Sequence, residues 1–180
     1  MRRMDSIHQL AAASIENFRL PKYSEIPDVG LFLEQTTKYI SQCLAPLGCV
    51  SLTSSMISNY VKMHLIESPV KRQYSREQIA YLIVIAIAKN VLSLEHLQTL
   101  FTLQRRKYTV QRAYEYFCRE FENILFFVFG QKEEVENVGE ENSQLKQMLR
   151  NTIITVCHKI YLEKCFAEIG DPGEDSLIFI

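Results

Sequence analysis

Leu52-Thr53-Ser54-Ser55-Met56-Ile57-Ser58-Asn59-Tyr60-Val61-Lys62-Met63-His64-Leu65-Ile66, followed by Glu67-Ser68-Pro69-Val70-Lys71-Arg72-Gln73-Tyr74, is the stretch whose reading decides the fold. Three helix starts in and after it share one signature. Thr53, Ser75 and Ser93 are residue types whose side-chain oxygen accepts from an otherwise unpaired N–H at a helix start. Each follows an apolar residue (Leu52, Tyr74, Leu92) and has another at the N4 position (Ile57, Ile79, Leu97). That spacing staples the entering chain to the first turn, and Ser75 with Gln78 adds a capping box.

On the first of these helices Met56, Ile57, Tyr60, Val61 and Leu65 fall on one face at helical spacing. Ser54, Ser58 and Lys62 form the opposite stripe, with Ser55 and Asn59 beside it. Small hydroxyls, an amide and one cation let a helix approach a groove closely and still bond to phosphates and base edges. An ordinary solvated face is the alternative for this helix alone. The next segment weighs against it: residues 67–74 are too short for a linker, hold Pro69 and suit a hairpin, and Lys71, Arg72 and Arg76 crowd there. Clustered cations favour a phosphate backbone, because each neutralised phosphate releases counterions. A helix, a short basic wing and two more helices make a winged helix-turn-helix that lies on DNA.

The run 57–66 resembles the recognition helix of MerR-type regulators, which carries an Ile, an aromatic and a final Gly-Leu-Ile or similar. Arg72-Gln73-Tyr74-Ser75 resembles the end of their wing, and Leu92-Ser93-Leu94-Glu95-His96-Leu97 their closing helix. Two positions depart from that pattern. His64 stands where a helix-ending Gly is preferred, so the turn has to accept a bulkier residue in a left-handed conformation. Ser58 stands where Arg is common, so no contact chemistry carries over there. With the flanks 20–28 and 74–83 included, residues 18–125 look like domain-of-unknown-function family 1836, uncharacterised proteins of Gram-positive bacteria with a MerR-like helix-turn-helix. The resemblance implies a fold and a DNA-binding role, and no reaction.

Charge is divided along the chain. Residues 1–50 carry five basic and five acidic side chains, residues 51–107 eight against three, and residues 108–180 seven against thirteen. The net charge of −1 therefore hides a basic middle and an acidic end, as in a nucleic-acid-binding segment joined to an acidic partner segment. At 180 residues, 47% hydrophobic and 23% charged, the chain is long enough for a sizeable core. The expected division is an N-terminal arm and strap (1–30), a winged helix-turn-helix domain (31–107) and a helical dimerisation or sensing extension (108–180). The fold class is all-α (mainly helical).

Residues 1–18 read as a helix or loose arm, with Arg2 and Arg3 able to reach phosphate, and a frayed terminus is the plainer expectation. Residues 20–28 hold two prolines and no period, an irregular strap with Tyr23 and Ile26 packing inward. Asp28 is the expected cap of a supporting helix over 31–44, ended by Pro46-Leu47-Gly48. Residues 79–88 are apolar nearly all round, a buried central helix. Residues 93–102 form the closing helix, and Arg105-Arg106-Lys107 after it either clamps phosphate or is a solvated helix end. A broad apolar stripe predicts a helix over 109–129. Residues 131–142, with five glutamates, read as a mobile acidic loop. A last helix spans 143–169, broken by Asp171-Pro172-Gly173, with an apolar end at 176–180 that docks or pairs with another chain.

Five cysteines (Cys43, Cys49, Cys118, Cys157, Cys165) have no ribbon or redox spacing and read as reduced thiols among apolar residues. Met1-Arg2-Arg3-Met4 leads into a mixed start, and the longest apolar run is far below the roughly 20 residues needed to span a bilayer. The expectation is a cytoplasmic protein with no membrane partner. Four histidines are scattered, and Cys157-His158 point about 100° apart on a helix, which argues against a metal. There is no phosphate-cradling glycine loop, no Gly-x-Ser-x-Gly and no set carboxylate pair, so neither catalysis nor a cofactor is expected. Aromatics concentrate between Phe101 and Phe129 and form either a bundle core or dimer interface, the preferred reading, or a ligand pocket.

The functional expectation is a regulator that binds double-stranded DNA as a homodimer, with room for an unknown small-molecule effector. Ser54, Ser55, Ser58, Asn59 and Lys62 would face the groove, while Lys71, Arg72 and Arg76 hold the backbone. The alternative is a non-catalytic protein-interaction module on the same scaffold, with an enzyme or sensor in the aromatic half a remote third.

Overall fold

The computed structural model describes residues 2–138 and 143–169. The expected break at Asp171-Pro172-Gly173, the apolar end 176–180 and the last part of the acidic segment lie outside the described residues. Within them the chain is mainly helical, with seven α-helices and one two-stranded sheet. In order these are α1 (Arg2–Ala13), β1 (Leu31–Phe32), α2 (Leu33–Leu44), α3 (Ser54–Lys62), β2 (Gln73–Tyr74), α4 (Arg76–Ala88), α5 (Leu94–Arg105), α6 (Val110–Val128) and α7 (Gln144–Ile169).

The architecture is built round α4. Its residues Ile79, Ala80 and 82–88 are buried, so it has no solvent face to speak of, and α2, α6 and α7 pack against it. Each buried Ile or Leu there contributes about 1.5–3 kcal/mol relative to exposure. The capping box forms as the sequence implies: Gln78 N–H donates to Ser75 Oγ at 3.4 Å and Ser75 N–H to Gln78 Oε1 at 2.8 Å. Ser93 and Thr109 cap α5 and α6 through the side-chain oxygen alone, without the reciprocal bond. One hydrophobic cluster joins buried residues from α1 to α7, so the core runs across the expected boundary at residue 107.

Several boundaries differ from expectation. α2 begins at Leu33 rather than at 31, because Leu31 and Phe32 are taken as a strand. Leu31 pairs with Tyr74 and Phe32 with Gln73, antiparallel. The helix is then capped by Gln35, whose Oε1 accepts the Phe32 N–H at 3.0 Å, and Asp28 sits elsewhere, 3.7 Å from Arg76 Nη2. α5 runs on to Arg105, three residues beyond the expected end.

The amino-terminal segment is no loose arm. α1 packs on α7, Ala11, Ile15 and Phe18 are buried, and Gln131 Nε2 donates to Ala12 C=O at 2.6 Å. The side chains of Arg2 and Arg3 lie outside the described residues. The strap 20–28 is fastened at both ends. Tyr114 OH donates to Pro21 C=O at 2.8 Å and Glu122 accepts the Leu20 N–H at 2.8 Å, both from α6. Arg76 Nε holds the other end at Ile26 C=O, 2.9 Å.

The acidic segment is likewise tied down over its described part. Asn123 on α6 accepts from Glu136 N–H and Lys132 Nζ and donates to Glu136 C=O, a side-chain amide standing in for a backbone ladder. α6 and α7 are further joined by Arg150 Nη1, 2.7 Å from Oε1 of the buried Glu120. Burial raises the Glu120 carboxyl above its ordinary value, and the Arg150 charge opposes that shift.

No helix among the described residues is long and apolar enough to cross a membrane. The five thiols are free, and burial lifts the Cys118 thiol to about 12. Cys157 is buried beneath Phe121 while its neighbour His158 is exposed, so the two diverge as helix geometry requires.

Candidate nucleic-acid interface

Local chemistry sets α3. Thr53 Oγ1 accepts the Met56 N–H at 3.2 Å, a cap worth about 1 kcal/mol. At the other end His64 has φ of 55°, the left-handed turn anticipated at that position. Leu65 N–H reaches Tyr60 C=O at 2.9 Å and His64 N–H reaches Val61 C=O at 3.0 Å, the pair of bonds that closes a Schellman end. Ile57 and Tyr60 are buried beneath, which fixes the rotation of the helix about its axis.

That rotation sorts the five α3 candidates into two groups. Ser55, Asn59 and Lys62, at i, i+4 and i+7, are exposed and form the open stripe. Ser54 and Ser58 lie to one side and are half-buried. Ser54 Oγ donates to Glu34 Oε1 at 3.0 Å and sits 3.0 Å from Thr37 Oγ1, while Ser58 Oγ donates back to Ser54 C=O at 3.0 Å. Their hydroxyls are committed to α2 and to the helix itself. Glu34 and Thr37 were not among the sequence candidates. They occupy one polar α2 stripe at i, i+3, a pattern that names a face but not the helix it meets.

The basic trio also divides. Gln73 N–H donates to Val70 C=O at 2.9 Å, and Lys71 and Arg72 have φ of 50° and 64°. Two consecutive left-handed residues make a type I′ hairpin turn, which Asn-Gly fits readily. An L-residue there costs roughly 1–2 kcal/mol, and this chain has two, both cationic and both exposed. Arg76 is different: its guanidinium bonds Ile26 C=O, faces Asp28 and lies 5.6 Å from the Tyr23 ring centroid. It holds the strap.

Gly30 lets the hairpin seat, since a Cβ there would stand 2.6 Å from Gln73 Cβ. Phe32, Gln73 and Val70 sit opposite one another across this small sheet and so share a face. Phe32 is 50% and Val70 75% exposed, an apolar patch beside the cationic tip that the sequence reading did not single out. β1 leads directly into the first turn of α2, and that turn supplies Glu34 to Ser54. The hairpin and the start of α3 therefore meet at one end of α2.

Of the Arg105-Arg106-Lys107 triplet, Arg105 Nε donates to Tyr81 OH at 3.1 Å and its guanidinium covers that ring at 4.9 Å, while Arg106 and Lys107 are exposed. Behind α3, the half-buried Lys89 Nζ donates to Met56 Sδ at 3.2 Å, and desolvation lowers its pKa. Among the described residues no group of three His, Cys, Asp or Glu could hold a metal ion.

Chemically, the arrangement offers a slim polar helix stripe, one cation on it, two cations on a protruding turn and apolar carbons next to them. Residues 21–117, which include all of these, match the family described as "Domain of unknown function (DUF1836)". No curated protein and no solved structure matches the chain.

Proposed function

The chain belongs to the DUF1836 family, and from that premise we propose that it is a cytoplasmic, non-catalytic transcription regulator that binds double-stranded DNA through a MerR-like winged helix-turn-helix. The observation that carries the reading is the hairpin tip. Two cations occupy left-handed positions where Asn and Gly are cheaper, and strain of that kind collects at functional sites.

In this reading α3 is the recognition helix. A helix about 10–12 Å across fills a major groove about 12 Å wide, so the contacting residues have to be slim, as Ser55 and Asn59 are. Asn59 reads a base edge, Lys62 with Lys71 and Arg72 holds phosphates, and Val70 and Phe32 rest on sugars or a thymine methyl. Ser54 braces α3 on α2 beside that stripe, Ser58 stays small next to it, and Arg76 positions the wing from behind. A homodimer would set two α3 helices roughly 34 Å apart along the duplex, matching a palindrome.

Salt titration of the full chain on double-stranded DNA tests this. Affinity is expected to fall linearly on a log–log scale with a slope of about −0.9 per phosphate neutralised, and footprinting then supplies the operator. A folded protein that leaves DNA free at low salt overturns the reading. The second reading, a protein-interaction module, draws on the exposed Phe32 and Val70 and on Glu34 beside Ser54. It gains in that outcome.

A further inference from the structure

A cavity of about 300 Å³ lies between α4, α5, α6 and the start of α7, and none of the residues proposed to meet DNA lines it. Its walls are apolar: Val84 from α4, Leu100 and Phe101 from α5, Phe117 from α6 and Leu149 from α7. Three cations also line it, Arg112, Arg119 and Lys146, and no Asp or Glu does. That is the reverse of the surrounding sequence, where residues 108–180 carry seven basic side chains against thirteen acidic. None of the three takes part in the four ion pairs formed among the described residues.

These cations are arranged over tyrosine faces. Arg112 lies 5.6 Å from the Tyr108 ring centroid and Lys146 Nζ 5.1 Å from that of Tyr116. Both tyrosines line the cavity. Such contacts hold a cation near an apolar wall without neutralising it. The other polar groups are spoken for: Gln104 accepts from Tyr81 OH and donates to Tyr108 C=O, and Tyr114 OH is bonded to Pro21. The Tyr116 hydroxyl has no hydrogen-bond partner among the described residues. Lys146 also feels the buried Glu120 carboxylate, which is already paired with Arg150, so what the cavity leaves open is the charge of Arg119 and Arg112, a share of that of Lys146, one phenolic donor and apolar surface.

We propose that this cavity binds a small organic acid with a compact apolar body. The body would lie against Val84, Leu100, Phe117 and Leu149, and the carboxylate would face Arg119, Lys146 and the Tyr116 hydroxyl. Sites of this kind are apolar with a few placed polar groups, and 300 Å³ is at the lower end of their usual size, which favours a fused ring over a long acyl chain.

The test uses the full chain without DNA and two probes of one shape, naphthoate and its neutral amide, followed by calorimetric titration. Naphthoate is expected to bind at least about tenfold more tightly than naphthamide. Arg119→Gln with Lys146→Gln is expected to bring naphthoate down to the level of the amide and leave the amide unchanged, with thermal melts reporting that the fold is intact. Equal binding of acid and amide, an unaltered preference in the double variant, or no binding of naphthoate up to its solubility limit would overturn the proposal. None of these outcomes bears on DNA binding, which is read separately by salt titration.

Discussion

The hairpin tip and the α6 cavity both concentrate positive charge, and they do so in opposite shapes. At the tip, Lys71 and Arg72 stand exposed on a tight turn, in no ion pair or cation–π contact among the described residues. At the cavity, Arg112 and Lys146 lie on tyrosine faces around a concave apolar wall. A convex cationic edge suits a long polyanion, because it meets many phosphates in turn and excludes little water. A concave one suits a single anion on an apolar body, since only there is the apolar area removed from water. Charge alone does not distinguish the two regions. What lies next to the charge does.

Replacing Lys71 and Arg72 together by Ala should give the largest effect on the convex side. Two lost phosphate contacts lower the salt slope by about two, and affinity for duplex DNA at low salt should fall roughly 10–100-fold, uniformly across sequences. Naphthoate binding should not change. A double variant that binds DNA as tightly as the parent, with the same slope, would detach the tip from the proposed function.

Gly30→Ala attacks the same site through packing rather than charge. The new Cβ would meet Gln73 Cβ at 2.6 Å, and both belong to segments held by β1–β2 pairing. Overpacking of this kind costs about 1–3 kcal/mol. The variant should melt earlier and bind DNA more weakly, yet keep the parental salt slope, because every cation remains. A changed slope would mean that Gly30 matters for something other than seating the hairpin.

The helix caps were legible in the sequence because they are local: Thr53, Ser75 and Ser93 each bond an N–H three residues on. The hairpin was legible in position, from Pro69 and the short basic run, but not in conformation, since Lys and Arg are poor residues for two left-handed positions. The side of α3 that faces out was only half legible. Periodicity finds the buried Ile57 and Tyr60, but α2 decides that Ser54 is covered and Ser55 open, and nothing near Ser54 names Glu34. Arg76 shows the same limit, because its partner Ile26 lies fifty residues earlier. β1 was hidden because two apolar residues ahead of a helix look like its first turn.

The strained turn permits a sharper separation of stability from function. Lys71→Asn with Arg72→Gly installs the pair that a type I′ turn prefers. Relief of left-handed strain, offset in part by glycine's chain entropy, should raise stability by about 0.5–1 kcal/mol. The same variant should lose DNA affinity much as the double Ala variant does. A gain in melting temperature together with a loss of binding is the signature of strain kept for charge. If stability falls instead, the turn is held by contacts of Lys71 and Arg72 that their exposure does not reveal.

The smallest expected effect tests an acidic neighbour of α3. Glu34 accepts from Ser54 Oγ and is itself exposed, so its charge stands beside the start of α3, where an approaching phosphate is repelled. Glu34→Gln keeps an acceptor for Ser54 and removes the charge. At a solvent-exposed site such a change is worth about 0.2–1 kcal/mol, so DNA affinity should rise about 1.4- to fivefold at low salt, with the gain shrinking as salt screens it. The melting temperature should move little, since the hydroxyl contact survives. If instead DNA affinity falls while the fold stands, the Glu34 carboxylate is itself part of the recognition surface, accepting from a base amino group as a cytosine contact would require. The two signs therefore separate a tolerated neighbour from a reading residue.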